Sequence, residues 1–128
     1  AETSLGIPPA QIAPFVTERV GLTQARRLML TGARFAGEEA VRCGIGHILA
    51  EDAADMETKC AGVLEQIALC APGANAVTKG IVFETTRLPR AQALDFAARG
   101  FADCMLSAEG REGVAAFVEK RKPQWATE

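Results

Sequence analysis

The residue types that most often bind metals or act as nucleophiles are sparse in this 128-residue sequence. Cys43, Cys60, Cys70 and Cys104 lie 17, 10 and 34 residues apart, and His47 is the single histidine. Zinc sites usually draw ligands from closely spaced pairs such as Cys-x-x-Cys, and no such pair occurs. We therefore expect no metal site. His47 has no partner at the spacing of a catalytic triad, so we assign it no role.

The cysteines are better explained as packing residues, because each has Ala, Val, Leu or Ile among its neighbours. A free thiol packs as a small apolar side chain, and reduced thiols are usual inside cells. We predict reduced core thiols in a cytoplasmic protein. No segment reaches the ~18 apolar residues of a membrane span, so no membrane association is expected.

A carboxylate near the start of the sequence is the clearest candidate for acid–base chemistry. Glu2 is followed by Leu5-Gly6 and by the paired prolines Pro8 and Pro9. A glutamate can donate or remove a proton at a reacting carbon. An arbitrary glutamate so close to a chain end is ordinarily a solvated residue, so position alone assigns no role to Glu2.

Basic residues are concentrated near the other end of the sequence, at Lys120, Arg121 and Lys122. A lysine can place a mobile point charge beside a phosphate. The same pattern is common where cations complement the carboxyl end of a helix. The net charge of -2 gives no overall field that would gather nucleic acid or anionic lipid.

Hydrophobic spacing and cap signals predict one mostly α-helical domain without internal repeats. Gly21, Gly32 and Gly44 are expected to end helices. An extended segment is predicted at 45–49, and the proline-rich opening, 1–9, is expected to be a strand end or a loop. The predicted helices cover about 13–20, 23–30, 37–43, 52–71, 74–86, 89–106 and 107–122.

Two of these helices carry apolar residues at helical spacing. The stripe on 52–71 is a predicted packing face, and the stripe on 89–106 is expected to be buried. The first consists of Met56, Cys60, Val63, Leu64, Ile67 and Ala71, and the second of Leu94, Ala97, Ala98, Phe101, Cys104 and Met105.

Four segments together resemble one known family. They are Glu2-Thr-Ser-Leu-Gly6-Ile-Pro-Pro9-Ala10, then Leu30-Thr-Gly32 with Glu39-Ala40 and Gly44, then Pro72-Gly-Ala74 with Lys79, and finally the segment 107–123. In this order and spacing they resemble the carboxy-terminal half of the crotonase (enoyl-CoA hydratase/isomerase) family. The form Ile-Pro-Pro-Ala-Gln-Ile-Ala-Pro-Phe-Val at 7–16 resembles the branch that hydrates methylglutaconyl-type branched substrates.

The resemblance implies the helical, carboxy-terminal part of an α/β spiral fold whose strand-strand-helix repeats lie outside this sequence. Residues 1–20 would end the catalytic core, and 21–128 would form a helical region that binds coenzyme A and assembles trimers or pairs of trimers. Because the sequence begins with Ala1, we expect a fragment. A missing amino-terminal half would supply the first carboxylate and the oxyanion-hole amides, so this chain alone should be inactive.

The resemblance also implies roles for seven residues. Glu2 corresponds to the glutamate that delivers or removes the α-carbon proton of an acyl-CoA thioester. Gly6 and Pro9 would shape its turn, and Ala10 would line the acyl pocket. Phe101, Phe117 and Lys120 correspond to positions that contact the coenzyme A nucleotide, although the two phenylalanines also fit a core stripe. Coenzyme A would be part of the substrate, and no separate cofactor is implied.

Other functions stay open at this stage. Within the family, isomerisation or thioester cleavage is the alternative to hydration of a branched enoyl-CoA. Outside it, Leu22-Thr-Gln-Ala-Arg-Arg27 before Gly32 outlines a helix-turn-helix, although Glu38 and Glu39 oppose contact with phosphates. A non-catalytic helical interaction unit would be distinguished by its exposed apolar area.

Overall fold

The computed structural model describes residues 2–126, which are helical apart from turns and irregular connections. The mostly α prediction is confirmed. The prediction of an extended segment at 45–49 is wrong, because that stretch is irregular. At the start of the chain, a 3-10 turn at Glu2–Leu5 takes the place of the expected loop or strand end. The helices are α1 (Ala13–Leu30), α2 (Gly37–Arg42), α3 (Ala53–Ala68), α4 (Pro72–Arg87), α5 (Arg90–Leu106) and α6 (Ala108–Val118).

The chain forms two compact units that divide within α3. The first extends to Lys59 and contains the opening 3-10 turn, α1 and α2. The second begins at Cys60 and contains α4, α5 and α6, followed by a second 3-10 turn at Gln124–Ala126.

Glycines end the helices of the first unit, as predicted for Gly32 and Gly44. Gly44 has a φ of +83°, and its N–H donates to the Val41 carbonyl while the Ile45 N–H donates to Ala40. This pairing satisfies carbonyls that the last helical turn leaves open. Gly21, with φ 72° and ψ 163°, breaks α1 into two helical segments, so the predicted boundary there is a kink.

A partly exposed ionic cluster joins α1 to α2. The Arg27 guanidinium donates to the Glu39 carboxylate and, at 2.9 Å, to the buried Cys43 sulfur. Glu39 also pairs with Arg42 at 2.8 Å. The hydrogen bond from Arg27 holds the pKa of the Glu39 carboxyl below its usual value, so Glu39 is ionised at neutral pH.

In the second unit, α4 and α5 approach closely because Gly100 has no side chain. A Cβ at Gly100 would lie 2.8 Å from the Val77 Cγ1 atom. Ser107 separates α5 from α6 and caps α6, since its hydroxyl oxygen accepts from the Gly110 N–H at 2.9 Å. Ser107 is thus the N-cap of α6, at the start of the helix predicted over 107–122.

The predicted apolar stripes are helical but are not buried within this chain. The α3 residues Leu64 and Ile67 are exposed, and α3 contains no buried residue among those described. Leu94, Phe101 and Met105 of α5 are exposed as well, so the prediction of a buried stripe there is wrong. The spacing of apolar residues predicts a helix, but it does not specify which surface will cover the apolar face of that helix.

The described core is correspondingly small, and its buried apolar residues are Ala25, Leu28, Cys43, Ala93 and Ala116. The chain exposes 9972 Å². A compact protein of this length would expose about 6,500 Å², and two separate domains of half the length about 7,900 Å². The excess is therefore independent of how the chain is divided, and large apolar side chains such as Leu5 and Phe117 are among the exposed residues.

The cysteines differ in environment. Cys43 is buried and Cys104 is half-buried, whereas Cys60 and Cys70 are exposed. All four are free thiols. The prediction of core thiols is therefore wrong for Cys60 and Cys70, because the face of α3 and the turn after it are not covered within this chain.

No single helix within residues 2–126 is long and apolar enough to cross a membrane, although the broken pair α3 and α4 passes that test together. The same residues contain no group of three or more histidine, cysteine or acidic side chains arranged to hold a metal ion.

Candidate active site

Glu2 opens a short 3-10 turn that is closed by Gly6. The Gly6 N–H donates to the Thr3 carbonyl at 3.1 Å, and the Ile7 N–H donates to the Glu2 carbonyl at 3.2 Å. Gly6 has a φ of +79°, a conformation that favours glycine. The sequence-predicted residues Glu2 and Gly6 are thus the two ends of one closed turn.

The Glu2 side chain is exposed and acidic. A hydrogen bond from its own backbone amide holds the pKa of the Glu2 carboxyl below its usual value. Glu2 is therefore ionised at neutral pH, in the state that can remove a proton from carbon.

A residue that sequence reasoning missed fixes this turn to α1. The Thr3 hydroxyl donates to the Met29 carbonyl at 2.7 Å, in the last turn of α1. At Gly32, which ends α1, a Cβ would lie at an ordinary contact distance of 3.6 Å from the Ser4 Cβ, so it is the φ of 59° that favours glycine there. No local pattern identifies Thr3, because its partner lies 26 residues away.

Two depressions meet at Glu2. One, of about 340 Å³, is lined by Glu2 together with Pro8, Pro9, Ala10, Gln11 and Ile12. The other, of about 150 Å³, is lined by Glu2, Thr3 and Pro9 with apolar residues of α1 and the connections near it. The structure therefore brings Glu2, Pro9 and Ala10 to one surface, and an ionised carboxylate stands beside apolar walls.

The residues predicted to contact the nucleotide lie in the second unit. Phe101 is 68% exposed and lines a groove of about 320 Å³ between α4 and α5. Phe117, in α6, is 84% exposed, and Lys120 follows α6 as an exposed residue with a φ of 55°. The alternative that Phe101 and Phe117 are core residues is wrong. Their coenzyme role stays a prediction.

Two residues of the helix-turn-helix outline have partners within the chain. Arg27 binds Glu39 and Cys43, and it also donates to Gln24 at 3.0 Å. The guanidinium that would contact a phosphate is thus engaged by a carboxylate of α2. This arrangement favours a structural role for that segment.

Comparison with known proteins identifies the family. The enoyl-CoA hydratase/isomerase family model matches residues 1–128. Among curated proteins, a "Probable enoyl-CoA hydratase" of Bacillus subtilis (strain 168) is 30% identical over 128 residues, which are 99% of this chain and 50% of the relative.

Solved structures agree in fold and sequence. Pseudomonas aeruginosa AtuE is 54% identical with a TM-score of 0.86, and the match covers 98% of this chain and 48% of that one. An enoyl-CoA hydratase/isomerase from Marinobacter aquaeolei is 48% identical with a TM-score of 0.82, covering 97% and 47%. The chain spans about half the length of these relatives. It belongs to the enoyl-CoA hydratase/isomerase family, as the resemblance of its motifs implied.

Proposed function

We propose that this chain acts within a longer enzyme that hydrates an α,β-unsaturated, branched acyl-CoA thioester. The observation that carries the proposal is the placement of Glu2. Its ionised carboxylate stands on a closed, anchored turn beside a depression lined by Pro9 and Ala10. The family match to the whole chain supplies the substrate class.

Hydration of a conjugated thioester requires a base for water, an acid for the α carbon and donors for the enolate-like oxygen. Ionised Glu2 would remove the α-carbon proton in the reverse dehydration, and Glu2 would have to take up a proton first to deliver it to the α carbon in the hydration. Gly6 and Pro9 would set its orientation, and Ala10 would contact the acyl chain. The water-activating carboxylate and the oxyanion donors would come from the amino-terminal half of the enzyme.

The second unit would hold the coenzyme A part of the substrate. Exposed aromatic rings at Phe101 and Phe117 can contact an adenine ring, and the Lys120 ammonium can contact a phosphate. No cofactor is proposed beyond the coenzyme carried by the substrate.

The replacement of Glu2 by glutamine tests the proposal in the full-length enzyme. Because a general acid–base group contributes about 10²–10⁴ in rate, Glu2→Gln should lower kcat for a branched enoyl-CoA by that factor with little change in KM. Glu18→Gln, an exposed position in α1, is the matched control. Equal activity of Glu2→Gln and the parent enzyme would contradict the proposal.

Isomerisation is the alternative reaction, since the matching family includes both hydratases and isomerases. A hydratase consumes the conjugated double bond of a 2-enoyl-CoA, whereas an isomerase creates that conjugation from a 3-enoyl-CoA. Offering the full-length enzyme both substrates and following the ultraviolet absorbance of the conjugated thioester separates the two. Methylglutaconyl-CoA and a straight-chain enoyl-CoA compared in the same assay test the branched preference.

We also propose assembly as a trimer or a pair of trimers in the cytoplasm. The exposed apolar residues of α5, including Leu94, Phe101 and Met105, support a contact surface between subunits. Light scattering at micromolar concentration tests this, and a monomeric mass for the full-length enzyme would contradict it. The 128-residue chain alone should turn over no enoyl-CoA.

A further inference from the structure

The residues on either side of Lys120 are joined to each other across it. The Arg121 Nε atom donates to the Glu119 carboxylate at 2.6 Å. The two Nη atoms of Arg121 donate to the two oxygens of Glu112 at 2.6 and 2.9 Å. Since Glu112 belongs to α6, this bidentate pair fixes the chain beyond the helix to the helix itself.

Lys120 adopts a backbone conformation that usually belongs to glycine. Its φ is 55°, and it closes α6 because its N–H donates to Phe117 while the Arg121 N–H donates to Ala116 at 3.0 Å. Glycine occupies the equivalent closing position after α1 and α2. A side chain with a Cβ is strained there, and such strain concentrates at functional positions.

The segment after Lys120 is held at several further points. The Gln124 N–H donates to Glu112 at 3.1 Å, and the Trp125 indole N–H donates to the Leu69 carbonyl at 3.2 Å. Arg121 thus has its guanidinium committed to carboxylates, whereas Lys120 is exposed and enters none of the ion pairs of residues 2–126. The cations available to a ligand at this end of α6 are therefore lysines, Lys120 and, two residues further on, Lys122.

We propose that Arg121 is a positioning residue that holds Lys120 in the left-handed conformation from which its ammonium contacts a phosphate of coenzyme A. This inference rests on the proposed function. Ordering the segment before the ligand arrives lowers the entropy that binding must overcome. The effect of Arg121 should therefore depend on the nucleotide part of the substrate and not on the acyl group.

Two thioesters of one acyl group separate binding of the nucleotide from binding of the acyl group in the full-length enzyme. One is the acyl-CoA, and the other is the N-acetylcysteamine thioester, which lacks the nucleotide. Arg121→Gln should raise KM for the acyl-CoA about tenfold, the loss expected for one charged hydrogen bond. It should leave turnover of the short thioester unchanged. Arg121→Lys keeps the positive charge but cannot form the bidentate pair with Glu112, so it should not restore KM.

Lys120→Ala should raise KM to the same degree, and the double variant should show no further rise, because both changes remove one contact. Lys120→Gly relieves the backbone strain, so it should raise Tm while still raising KM for the acyl-CoA. Arg111→Gln, an exposed arginine of α6, is the control for net charge.

If Arg121→Gln lowered activity equally on both thioesters, Arg121 would be merely structural and the inference would be overturned. Additive effects of the Arg121 and Lys120 variants on KM would also overturn it, and so would an equal rise in KM for Arg111→Gln. A parent enzyme that turns over neither thioester would instead contradict the proposed function. Calorimetric titration with free coenzyme A then still tests the positioning role, because Arg121→Gln must weaken binding if that role is correct.

Discussion

The hydroxyl of Thr3 donates a 2.7 Å hydrogen bond to the carbonyl of Met29, and this contact fixes the turn bearing Glu2 to the last turn of α1. The carbonyl groups at a helix end lack partners within the helix. The Met29 carbonyl also accepts from the Gly32 N–H at 3.4 Å, so Thr3 is an additional donor that ties the end of α1 to the candidate catalytic turn.

Replacing Thr3 by valine keeps the side-chain shape and removes this donor. We expect a loss of about 1 kcal/mol in the free energy of unfolding. In the full-length enzyme kcat should fall about tenfold with KM unchanged, since small misplacements of a catalytic group slow the reaction without weakening binding. Steady-state kinetics and urea unfolding measure both effects.

Thr3→Ser, which retains the hydroxyl, should restore kcat. Thr58→Val is the matched control, because the Thr58 hydroxyl donates to the Ala54 carbonyl within α3, away from Glu2. A Thr3→Val enzyme with unchanged kcat would show that the turn is oriented without this contact.

Gly110 and Gly62 should respond in opposite ways to the same substitution. A Cβ at Gly110 would lie 2.0 Å from the Cys104 carbonyl oxygen, so alanine forces α5 and α6 apart and should cost about 3 kcal/mol or more. At Gly62, within α3, nothing lies within 4 Å, and alanine should stabilise by about 0.5–1 kcal/mol. Thermal unfolding of the two variants checks both expectations. Similar shifts in Tm for the two variants would contradict the predicted difference.

The helix ends were predictable because their signals are local. Ser107 caps α6 through its own neighbour three residues on, and Gly44 takes the left-handed conformation that its type favours. Helix α4 begins at Pro72, two residues before the predicted start at 74, since a first turn does not use the amide hydrogen that proline lacks.

Burial and orientation were not predictable in the same way. The apolar spacing of α3 and α5 predicts helices correctly, but it contains no information about which surface covers Leu64 or Phe101. Glu2 was identified by the family motif around it, whereas Thr3 and Arg121 act through partners that only the folded chain brings near.

Glu109 links α6 to the start of α4. Its two carboxylate oxygens accept from the Gly73 and Ala74 N–H groups at 3.1 and 3.0 Å. These amides belong to the first turn of α4 and have no partner within that helix. Glu109→Ala should therefore cost about 1 kcal/mol, as the loss of a side-chain cap does.

The urea midpoint should fall for Glu109→Ala with an unchanged slope. Glu65→Ala, at an exposed position of α3, should leave the midpoint nearly unchanged. Equal midpoints for the two variants would show that water replaces the Glu109 carboxylate at no cost.

Acid should weaken the contact between Glu112 and Arg121. The hydrogen bonds from Arg121 lower the pKa of the Glu112 carboxyl from its usual value of 4.5, and those from Glu112 raise the pKa of Arg121, which stays charged. A carboxyl whose pKa is lower in the folded state contributes stability that is complete above its unfolded pKa and is lost as the pH falls through its folded pKa.

The difference in Tm between the parent protein and Glu112→Gln should therefore be constant near neutral pH and shrink at pH values below 4.5. Glu119→Gln, which removes the charge from the single hydrogen bond to Arg121 Nε, should show a smaller difference at neutral pH. A Glu112→Gln difference that persists in acid would mean that the pair contributes through packing instead of charge.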